Sequence, residues 1–183
     1  MQQKYILYWQ HTTQNSTKLE FFNTFKNNYT PSSYLDLANK LSERKELVKL
    51  RIGNHKLSFD TGRYDQMPKI NGLCPIWASN QIEDESHFLI YCNKYSILRN
   101  KFYEKIEHII PTFKQLSSLQ VIGKLMTSSN HYINILLTTD YILSCFDLRN
   151  ILLLNSNQCN LIATDIITLL YDHDNCYCFS FSF

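Results

Sequence analysis

The sequence predicts a mainly α-helical fold, an irregular helical domain wrapped around one small cysteine–histidine turn. Apolar residues recur at three- to four-residue spacing through most of 15–153. Proline and glycine punctuate that pattern at Pro31, Gly53 and Pro111, where helices should stop. The segment from Leu73 to Cys92, LCPIWASNQIEDESHFLIYC, sets Cys74, His87 and Cys92 where three ligands of a C-x2-C-x9-H-x4-C site would stand. Trp77 occupies the place of the second thiolate, so the turn reads as a degenerate zinc knuckle.

Residues 1–14 are taken as an N-terminal extension. Thr17-Lys18-Leu19-Glu20 has the pattern of a capping box and opens a helix through Leu19, Phe22, Phe25 and Tyr29, stopped by Pro31. Ser42 can cap a second helix, about 43–53, that turns Leu47, Val48 and Leu50 inward and ends at Gly53. Between Asn54 and Leu73 no long period survives, and Gly62, Pro68 and Gly72 suggest a loop. A short helix near 82–91 should carry His87, with Cys92 just beyond it. The clearest helix is 94–110, with Tyr95, Leu98, Phe102, Ile106 and Ile109 on one face and Lys101, Glu104 and Lys105 on the other. A shorter helix follows at 115–126. Asn130 then caps a long one to about 153, striped by Ile133, Leu137, Tyr141, Leu148 and Leu152. The domain thus spans 15–153, and 154–183 reads as a poorly structured tail ending in FSFSF, a pattern that can pair as an edge strand.

The 183 residues suffice for one domain of ordinary size plus a tail. A hydrophobic share of 44% with 19% charged residues excludes wholesale disorder. Charge is uneven: residues 1–150 hold all 18 Lys and Arg against 13 acids, a net +5, and 151–183 hold only Asp165, Asp172 and Asp174, a net −3. A body of +5 permits nucleic-acid contact without requiring it. The six cysteines follow no secretory signal, so reduced thiols and an intracellular location are expected. No run of about 18 apolar residues occurs, so no membrane span is expected.

Four groups of residues bear on chemistry. Cys74, His87 and Cys92 either form a three-ligand zinc site, completed by water or a borrowed group, or have become small buried apolar residues with Trp77 filling the vacated space. Zinc is therefore possible but weak. The cations Arg44, Lys45, Lys49, Arg51, His55, Lys56, Arg63 and Lys69 could reach phosphates of RNA or DNA, with Tyr64 available for stacking. Lys49, Arg51, Lys56 and Arg63 are the preferred four. Glu43, Glu46, Asp60 and Asp65 lie among them, which also fits an ordinary solvated face of mixed charge. Glu83-Asp84-Glu85 is read as a first helical turn complementing the helix dipole. Tyr171-Asp172-His173-Asp174 lacks the adjacent aspartates of a two-metal polymerase site, and no catalytic motif occurs elsewhere, so no enzyme is expected.

The run ELVKLRIGNHKLSFDTGRYDQMPKINGLCPIW, followed by QIEDESHFLIYCNKYSILRNKFYEKI, resembles the C-terminal region of non-LTR (LINE-type) retrotransposon reverse transcriptase polyproteins. The resemblance covers about 1–153, including SSYLDLANK and LMTSSNHYINILL; the tail after about Asn155 lies outside it. It implies a knuckle preceded by a helix and followed by a helical end, and an auxiliary role in holding RNA or target DNA. It also implies a detached fragment, with Met1 falling inside a longer polyprotein and no endonuclease or polymerase domain in this chain. A helical protein-interaction module and a translated remnant without function are the competing expectations.

Overall fold

A computed structural model describes residues 2–30 and 41–156. The expectations for Pro31 as a helix stop and for the tail beyond Ser156 lie outside the described residues. Within them the protein is mainly helical, and the one β feature is an isolated antiparallel bridge between Leu73 and Ile82.

The N-terminal stretch is itself a helix, α1 (Gln2–Gln14), where only an extension was expected. Asn23 donates to the Thr13 carbonyl at 2.7 Å and Trp9 meets Tyr29 edge-on at 5.7 Å, which fastens α1 to the following segment. The capping box does not form. Ser16 precedes a 3-10 turn, Thr17–Leu19, without a side-chain cap, and α2 (Glu20–Asn23) is a single turn that buries Phe21. The Thr24 hydroxyl donates back to the Phe21 carbonyl at 2.7 Å, so the backbone leaves the helix well before Tyr29.

Helix α3 (Leu41–Arg51) begins before Ser42 and buries Leu47 and Leu50. Gly53 ends it with φ +59, and the Asn54 N–H reaches the Lys49 carbonyl at 2.9 Å, the outer bond of a Schellman motif. A Cβ at Gly53 would sit 2.8 Å from the Lys18 carbonyl oxygen. Gly53→Ala should therefore lose about 1–3 kcal/mol, read as a lowered urea midpoint with unchanged slope.

The stretch expected to be a loop folds instead. Ser58–Tyr64 is a helix, α4, and Lys69–Asn71 is a 3-10 turn. Gly62 and Arg63, read as part of a turn, thus sit within α4. Gly72 is needed where the chain passes under α4: a Cβ there would come within 2.9 Å of the Phe59 Cα.

Helix α5 (Ser96–Glu107) matches the expected stripe, with Leu98, Phe102 and Ile106 buried. Helix α6 (Ser118–Thr127) opens on a capping box between Ser117 and Gln120. The last helical run has three parts: α7 (His131–Ile135), a π-helical segment Leu136–Leu143, and α8 (Ser144–Ser156). Asn130 caps α7 by accepting from Tyr132 N–H at 2.9 Å and Ile133 N–H at 3.2 Å. The wide segment has a visible cause. Ile133, Leu137, Tyr141 and Cys145 recur every four residues and are all buried. On a 3.6-residue helix each such step drifts about 40° around the axis, and wider turns cancel that drift. Phe102 of α5 stacks on Tyr141 at 4.8 Å with 3° between planes, setting this run against the core's middle.

Candidate metal centre

The knuckle is built from a narrow loop and one turn of helix. Gly72 O accepts from Glu83 N–H at 2.8 Å and Gln81 O from Cys74 N–H at 2.9 Å, so residues 74–81 are pinched off as a loop. Asp84 starts the helical turn by accepting the His87 N–H at 2.8 Å. The π-helical turn His87–Tyr91 then ends where Cys92 N–H reaches back to His87 O at 2.7 Å. This extra residue per turn brings Cys92 back beside His87.

The three expected ligands converge. One ligand atom each from Cys74, His87 and Cys92 lies within 4.8 Å of the others, and all three residues are buried. A zinc tetrahedron with Zn–S of about 2.3 Å has a sulfur–sulfur edge of about 3.8 Å, so the set needs to draw in by about 1 Å at most. His87 Nδ1 faces the Gln81 Oε1 at 3.0 Å, an oxygen that can only accept. The other ring nitrogen, Nε2, is buried without a hydrogen-bond partner. An orphaned, buried ring nitrogen is the atom a metal would use. The Cys92 thiol donates to Cys74, which pulls the Cys74 thiol below its ordinary range against the opposing effect of burial. The same shared proton and burial push Cys92 upward. A buried group of two cysteines and a histidine could hold a metal ion, and among the described residues these cysteines and Cys145 form no disulfide.

Trp77 supplies no fourth ligand. Its indole stacks on the His87 ring at 5.7 Å with 21° between planes, partly buried against the core. It holds the imidazole by its face where a cysteine would have held the ion.

Three anchors tie the knuckle to the helical body. Arg149 of α8 grips Glu83 with two bonds of 2.7 Å, and Ser58 adds its N–H and hydroxyl to the same carboxylate at 2.7 Å. Tyr141 donates to the Leu89 carbonyl at 2.6 Å, and Arg99 to the Cys92 carbonyl at 2.8 Å. The acidic run is thus no solvated dipole complement at its ends. Glu83 is 1% exposed and Glu85 4%, the latter facing His55 Nε2 at 3.1 Å. Only Asp84 caps the turn. The burial of Glu83 was not identifiable from pattern, because its partner Arg149 lies 66 residues on.

The four preferred cations do not share one environment. Arg51 is 2% exposed, its guanidinium 5.0 Å over the Phe25 ring, so its charge is buried where it was expected to stay in solvent. Arg63 pairs with buried Asp60, donates to the Gly53 carbonyl at 2.8 Å and covers Phe59. Lys49 pairs with Glu46 at 2.6 Å on a half-buried face, and Lys56 is exposed. Lys49 and Lys56 are the two that line a common cavity. Among the described residues no helix is long and apolar enough to cross a membrane. Comparison of the chain with protein-family models, with curated proteins and with solved structures finds no match.

Proposed function

We propose that this chain is the detached C-terminal segment of a retroelement reverse transcriptase, a non-catalytic helical module that holds nucleic acid and whose knuckle takes Zn²⁺ weakly. The observation that carries this reading is the convergence of Cys74, His87 and Cys92, with His87 Nε2 buried and without a hydrogen-bond partner. Three protein ligands leave the tetrahedron open at one corner, so water must complete it and the ion exchanges readily. When bound, Zn²⁺ supplies a covalent-like cross-link between loop 74–81 and the turn that ends at Cys92. Gln81 orients the imidazole, and Gln81→Leu should weaken zinc about 10- to 100-fold with little change in the apo-protein's melting. Calorimetric titration of the reduced protein tests both statements; tight zinc in the unmodified chain, or an indifferent Gln81→Leu, rejects them.

The nucleic-acid part rests on the surface cations Lys49 and Lys56, since Arg51 and Arg63 serve the fold. Removing both lysines should flatten the salt dependence of single-stranded RNA binding by up to about 1.4 units. The test is fluorescence anisotropy with short single-stranded RNA at two ionic strengths. The alternative of a protein-interaction module draws on α1, which exposes Tyr5, Leu7 and Tyr8.

A further inference from the structure

A cavity of about 460 Å³ opens between the end of α3, the turn 54–56 and the start of α8, within the size range of small-ligand pockets. Its apolar wall is Leu143 and Phe146, and Phe146 is backed by Phe88, stacked at 4.7 Å, so the ring is held in place. Asn54 and Asn150 stand exposed at the rim. The Asn54 carbonyl oxygen already accepts from the Tyr64 hydroxyl at 3.4 Å, which leaves its NH₂ group to donate outward. His55 is committed: Nδ1 accepts from the Leu57 N–H at 3.3 Å and Nε2 faces Glu85. It forms wall and not a ligand contact. The charged groups are Lys49, Lys56 and Glu46, the last paired with Lys49.

We propose that this cavity takes one unstacked base of a single-stranded nucleic acid together with its phosphodiester. This deepens the nucleic-acid reading above and rests on it. Phe146 and Leu143 offer the base a flat apolar wall, and the two carboxamides reach its polar edge. Two ammonium groups less one carboxylate leave a single net positive charge. That matches a phosphodiester, with one negative charge, better than a terminal phosphate, which carries about −1.5 to −2 at neutral pH. A duplex would have to flip a base out to use the site, so the site selects single strands.

The test is anisotropy of a short fluorescein-labelled single-stranded RNA at low salt, with the same sequence as duplex and with AMP as competitors. The Lys56→Ala/Asn150→Ala double variant alters only exposed positions, and its melting curve is recorded beside wild type. The expected result is single-strand binding weakened about tenfold or more in the double variant. Duplex and AMP should both compete poorly, and Glu46→Gln should improve AMP selectively. If wild type binds RNA and the double variant binds it equally, the cavity is excluded while the nucleic-acid function stands. If wild type binds no RNA at low salt, both fall. AMP competing as well as the oligonucleotide overturns the phosphodiester assignment.

Discussion

Trp77→Cys should give a protein that holds one zinc per chain through gel filtration and against a mild chelator. The substitution places a thiolate at the position that the C-x2-C spacing reserves for it, completing a Cys3His set with Cys74, His87 and Cys92. Structural zinc in small knuckles is worth about 10–16 kcal/mol of apparent binding free energy at neutral pH. Even a fraction of that, acting on the folded state alone, should raise the melting temperature of the zinc-loaded variant well above wild type. Without metal the variant should be weaker than wild type, because it loses the Trp77–His87 stack and part of the packing around it. The measurement is elemental analysis after dialysis, with melting curves with and without zinc. A variant that gains no metal, or an unmodified chain that already keeps one tightly, sinks the account of the open corner.

The second large effect concerns Glu83. Glu83→Ala or Arg149→Met should cost about 3–5 kcal/mol each, because either leaves the other charge buried and uncompensated. That is a large part of the stability of an ordinary domain, and the single variants should unfold at markedly lower urea. Removing both charges, Glu83→Leu with Arg149→Met, should recover much of the loss, since buried pairs replaced by apolar groups are often neutral. Ser58 limits the recovery, because its N–H and hydroxyl would lose their acceptor. The double-mutant cycle over urea midpoints reads the coupling directly. Single variants within about 1 kcal/mol of wild type would show that the pair does not clamp the knuckle to α8.

The helices with a clear period are legible in the sequence itself. Leu98, Phe102 and Ile106 face inward on α5, and Asn130 caps α7, because a 3.6-residue stripe and a side-chain cap are local properties. The convergence of Cys74, His87 and Cys92 was legible for the same reason, as their spacing is written along one short segment. Where sequence pattern misled, a long-range contact had overruled it. Between Asn54 and Leu73 the glycines and proline argued for loop, yet α4 forms because Asp60 draws in the His55 N–H and Arg63, and Glu83 draws in Ser58. Residues 2–14 fold because Trp9 and Thr13 find Tyr29 and Asn23. The wide turns of Leu136–Leu143 arise where a four-residue spacing has to keep meeting one core.

Arg51 shows the difference most plainly. Its helix is polar in composition and carries Lys45, Glu46 and Lys49, so pattern placed it in solvent. The fold brings Phe25 over it and leaves 2% exposed. Local periodicity determines which face of a helix is apolar, because neighbours three and four residues apart share it. Which charge is buried, and against what, depends on partners 26 to 66 residues away, and only packing in three dimensions chooses them.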